Sequence, residues 1–149
     1  MNIAGLPAHV LIIHAAVVFG PLAALGALAY AGLPRHRDLL RWPVLVLTVI
    51  AVASIWAAYV TGVNFFGSDR FANASGQLRD NIRTHESYAK TLRWIVSAFG
   101  IVTVATTYAY HAKPGTARTV LTGLMAVSAV ATLVWVVLTG DAGARSAWS

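Results

Sequence analysis

A chain of 149 residues that is 58% hydrophobic and only 11% charged, with a mean hydropathy of +0.68, is too apolar for a soluble globular domain. Its formal charge of +6 comes from basic residues gathered between apolar stretches, which makes them topology determinants and not a nucleic-acid surface. With no cysteine, disulfides, thiolate zinc sites and iron–sulfur clusters are excluded, so metal or redox chemistry would have to use histidine or a bound cofactor.

Four apolar spans, 7–33, 42–66, 82–112 and 117–140, are each long enough to cross a hydrocarbon layer, which takes about 20 helical residues. They predict an all-α fold: one membrane-embedded domain over 1–149, a four-transmembrane-helix bundle of two antiparallel hairpins. No Lys or Arg precedes the first span, so it reads as a mature helix and not as a cleaved leader. Pro7 suits a first-turn position, where a missing N–H costs nothing, and Pro21 after Gly20 should kink the first span. Pro34-Arg35-His36-Arg37-Asp38 and Lys113-Pro114-Gly115 close the two hairpins, and a polar loop from Gly67 to about Gln77 joins them. Basic residues in the short turns favour a cytoplasmic position for them, with both termini outside a cell membrane.

The third span opens with Asp80, Arg83, Glu86, Lys90 and Arg93 within one helical arc. His85 points away from that arc and shares its side with Tyr88, Ala89, Leu92 and Val96, the face expected to pack on other helices. On the first span, His9 and His14 lie about 140° apart around the helix, so they do not easily chelate one ion together. His9 shares a face with Ile13, Ala16, Gly20, Ala23 and Ala27, a strip that lets a second helix approach or leaves room for a flat cofactor. Counted from the turns, His9, His85 and Asp141 all fall about 36 Å away, with His14 about 7 Å deeper, and Thr61, Gly62 and Asn64 arrive near the same level. A weak repeat adds to this: His9 precedes Thr61-Gly62 much as His85 precedes Thr139-Gly140, with Trp56 and Trp135 ahead of the two Thr-Gly pairs.

Imidazoles from facing helices are the ligands a haem iron needs, so His85 with His9 or His14 is the candidate axial pair for haem b. Arg79, Arg83 and Arg145 are candidates for its propionates. Copper or zinc held by His9 or His14 with His85 and Asp141 is the competing chemistry, although Asp141 equally suits a pair with Arg145. His36 and His111 read as solvated beside the turns. The tryptophans and tyrosines read as aromatic belts, and no phosphate loop, Ser-His-Asp set or paired catalytic carboxylates can be assembled.

Gly5-Leu6-Pro7-Ala8-His9 through His14, Thr61-Gly62, the region from Arg83 to His85 and the closing Thr139-Gly140-Asp141 resemble the landmarks of domain-of-unknown-function family 2231, small four-helix membrane proteins with two histidines five apart on the first helix. Where those relatives often carry proline after each helix-one histidine, Val10 and Ala15 stand here. Some relatives are joined to Rieske-type domains, so the resemblance implies a role beside electron transfer and His9, His14 and His85 as ligands. Together these readings predict an electron carrier with a redox partner on the outer side. The alternative is an accessory subunit of a membrane complex, and either is preferred to a stand-alone enzyme. Beyond the bilayer, a homodimer through small-residue faces is the other expected association.

Overall fold

The structure, a computed structural model, describes residues 2–3, 6–66, 76–110 and 115–147, with side chains over 11–64, 76–110 and 115–146. A two-residue antiparallel pairing of Asn2–Ile3 (β1) with Leu6–Pro7 (β2) precedes four long helices: α1 (Ala8–Gly32), α2 (Arg37–Phe66), α3 (Gly76–Ala109) and α4 (Thr116–Ala147). Each helix packs on its two neighbours, so the bundle closes as a ring in chain order with α1 and α3 on one diagonal. All four are long and apolar enough to cross a membrane.

Which side chains point inward shows what surrounds the bundle. The interior is rich in small and hydroxylated residues, with Ala23, Ala24, Ala27, Ala51, Ala129, Thr48, Thr103, Thr107 and Thr132 all buried around larger ones such as Tyr30, Phe99 and Met125. Large aliphatics face out instead, with Ile101 71% exposed, Val127 68% and Val137 66%. In water this arrangement would waste the hydrophobic effect. In lipid it is the expected one, because small residues let helices approach closely while lipid solvates the large apolar ones. The protein is a small integral membrane protein.

The helix boundaries depart from the apolar spans where polar residues continue a helix. The chain turns between α1 and α2 through a 3-10 turn, Pro34–His36. Arg37 then starts α2 and reaches back to cap α1, its Nε donating to the Tyr30 carbonyl at 3.0 Å and its Nη2 to the Ala31 carbonyl at 3.1 Å. That contact and Asp38 in the first turn carry α2 past the expected start at 42, which leaves Pro43 inside the helix. Pro7 stands one residue ahead of α1, and α1 runs on through Pro21. Gly76, at φ +61, takes the left-handed conformation that glycine adopts without a Cβ penalty, and α3 begins there instead of at 82. Beyond 140, α4 is extended by an Arg145–Asp141 ion pair at 2.9 Å.

Two levels of charge and aromatic rings bracket the apolar length. At the turn end, Arg41 lies over Trp42 at 4.9 Å and Arg118 over Tyr110 at 4.6 Å, while the Tyr110 hydroxyl donates to Asp38 at 3.2 Å. At the far end stand Trp56, Tyr59, Arg93, Trp94 and Trp135. At helical rise, Arg41 to Tyr59 spans about 27 Å and Arg118 to Trp135 about 26 Å, close to the thickness of a hydrocarbon layer. The first half of α3, the end of α4 and the part of α1 before Gly20, which packs against Val136, therefore project beyond the far aromatic level.

Candidate functional site

His85 sits on that projecting part, about 12 Å beyond Arg93 at helical rise. The 3.6-residue repeat puts it in line with Leu92, Val96, Phe99 and Thr103, the buried stripe of α3, so it turns toward the bundle as expected. It is half-buried, and its Nδ1 lies 2.9 Å from the carbonyl oxygen of Thr139 on α4. A carbonyl can only accept, so Nδ1 carries the proton, and in the neutral ring the lone pair is on Nε2. The ring lies over Gly143: a Cβ added there would stand 3.0 Å from Cε1 and 3.1 Å from Nδ1. The absence of a side chain at Gly143 is what lets the imidazole seat on α4.

The remaining predicted residues divide around this centre. His14 is exposed and lies on the side of α1 opposite the buried stripe of Ala16, Gly20, Ala23 and Ala27. The side chain of His9 lies outside the described residues, as does His111; in the sequence His9 shares the repeat of Ala16, Gly20, Ala23 and Ala27. Axial level sorts the pair the other way. Gly20 packs against Val136 and Ile55, with its missing Cβ 3.1 Å from Val136 Cγ2 and 3.7 Å from Ile55 Cδ1. Counting outward from those contacts sets His14 level with Ala142 and Thr61, hence with His85, and His9 about 7 Å farther out. On α1, His14 has the height of His85, and His9 the sequence repeat of the small-residue strip.

Arg79 and Arg83 are exposed and fall on the opposite side of α3 from His85, so they do not converge on it. Arg145 and Asp141 pair with each other on the exposed side of α4. The propionate role predicted for the three arginines and the ligand role of Asp141 therefore do not fit the arrangement about His85: the helical repeat that turns His85 in turns these residues out. Among the described residues, no three His, Asp or Glu side chains converge as a metal site would need. The small-residue strip of α1 is closed by Val136, Ile55 and Val44, the last 3.3 Å from a Cβ built on Gly26. It serves close helix packing within the chain. His36 is exposed in the first turn, as expected.

A haem-ligating imidazole has its other ring nitrogen held by a hydrogen bond, and His85 Nδ1 has such a bond with the Thr139 carbonyl. Sequence reasoning missed Arg93, which it grouped with the charged arc. Arg93 is half-buried, and its guanidinium lies 4.2 Å from the ring centre of Tyr59, 5.1 Å from Trp94 and 5.3 Å from Trp56. Its signal was there in Trp56 and Tyr59, three apart on one face of α2, with Trp94 beside it. No family model, curated protein or solved structure matches the chain.

Proposed function

We propose that the protein binds haem b at the far end of its bundle, with His85 as one axial ligand and His9 as the other, and carries electrons to a redox partner on that side. Insertion with both termini outside the cell membrane would make that the outer side. One observation carries the reading. The Nδ1–H of His85 is engaged by the Thr139 carbonyl, the outer hydrogen bond that typically orients a ligand imidazole and raises its basicity. Bound there, haem would supply one-electron chemistry. The chain's own part is to fix the ring of His85 on α4 through Gly143 and Thr139 and to hold it past the aromatic level, where a partner has access.

Purified protein expressed with full haem supply should show a Soret band. The band should survive His14→Ala and disappear in His85→Asn, whose amide can still donate to Thr139 but has no nitrogen at the Nε2 position. A colourless preparation, or a band that persists in His85→Asn, would remove the proposal. The second reading, an accessory subunit of a membrane complex, is favoured by the closed packing along Gly20 and Gly26. It predicts a stoichiometric partner in mild detergent extracts and unaltered assembly when His9, His14 and His85 are all replaced.

A further inference from the structure

Arg93 occupies an unusual position for a membrane arginine. Three aromatic rings surround its guanidinium, yet neither ion pair among the described residues includes it. Its Nε is shut off from water and meets no hydrogen-bond acceptor among those residues, so the donors left to reach a ligand are the outer Nη1 and Nη2. The rings meet the cation's charge through their π-faces, but they do not take up its in-plane N–H donors. The box itself is braced: Trp56 Nε1 donates to Ser97 Oγ at 2.9 Å, Ser97 donates to the Arg93 carbonyl at 2.7 Å, and Trp94 stands edge-on to Trp56 at 5.7 Å. Trp94 is 61% exposed, so the box opens toward the surrounding medium.

An acceptor is therefore called for at a defined depth. Arg93 lies at the far aromatic level, where phospholipid headgroups meet the hydrocarbon, and a phosphodiester offers two oxygens matched to the guanidinium fork. We propose that Arg93, framed by Trp56 and Tyr59 of α2 and Trp94 of α3, is a binding site for the phosphodiester of a phospholipid headgroup.

The test uses the full chain in a neutral detergent, with thermal unfolding followed by circular dichroism. Phosphatidylglycerol should raise the midpoint by about 3 °C, and Arg93→Gln should lose that shift. Diacylglycerol, which has no phosphate, should not reproduce it. A full shift in Arg93→Gln, an equal shift with diacylglycerol, or the same shift from inorganic phosphate alone would overturn the lipid assignment. A second measurement does not depend on the glutamine variant folding. In native mass spectrometry, wild-type protein should retain one phosphatidylglycerol that Arg93→Lys, charged but without the fork, retains several-fold less; equal retention would overturn the proposal.

Discussion

Adding one methyl group at Gly143 tests the contact on which the His85 site rests, and Gly140 provides a matched control on the same helix. A Cβ at Gly140 would meet nothing within 4 Å. Gly140→Ala should therefore show only the helical preference for alanine over glycine, a gain of about 1 kcal/mol. At Gly143 the same gain is opposed, because the new Cβ would stand 3.0 Å from His85 Cε1 and 3.1 Å from Nδ1. The ring has to give way by a few tenths of an ångström, which strains a hydrogen bond worth about 1 kcal/mol and adds about 1 kcal/mol of overpacking. Gly143→Ala should then fall about 1 kcal/mol below wild type and about 2 kcal/mol below Gly140→Ala, a separation of about 4–8 °C in midpoint for a chain of this size. Thermal unfolding in detergent reads the difference directly. With His85→Ala as background the obstacle is gone, so Gly143→Ala should become stabilising and match Gly140→Ala. If Gly143→Ala stabilises the otherwise wild-type protein as much as Gly140→Ala does, the imidazole does not lie on α4 and the orientation of Nε2 argued from it is lost.

The turn end and the small-residue strip each give a further outcome. Arg37→Ala removes both side-chain donors to the last carbonyls of α1 and should cost about 1–2 kcal/mol, seen as faster amide exchange confined to the last turn of α1 and the first of α2. Unchanged exchange there would mean the cap does not hold the hairpin. Gly20→Leu forces a side chain into space held by Val136 and Ile55 and should cost about 2–3 kcal/mol, with part of the loss recovered by Val136→Ala; a wild-type midpoint for Gly20→Leu would show that α1 and α4 do not meet there.

The features read correctly from the chain are those that depend on one helix at a time. Four spans follow from apolar length, and the inward turn of His85 follows from its place in the 3.6-residue stripe with Leu92 and Val96. The helix ends were misjudged because hydropathy measures what lipid will accept, whereas Arg37, Glu86 with Lys90, and Asp141 with Arg145 continue helices in polar surroundings through local bonds. Contacts between helices were out of reach for a different reason. Height counted from the turns assumes that all four helices start at one level, but registry is set by which small residue accepts which side chain. Gly20 against Val136 moves His14, and not His9, to the level of His85, although in the sequence it is His9 that shares the repeat of the small-residue strip. Arg93 shows the same limit in azimuth: at the edge of its charged arc, one neighbouring face with Trp56 and Tyr59 turns a solvent-facing cation into an enclosed one. Height and sequence repeat therefore point to different histidines of α1, His14 by the first and His9 by the second. That is why the spectral consequence of replacing each one separately discriminates more sharply than removing both.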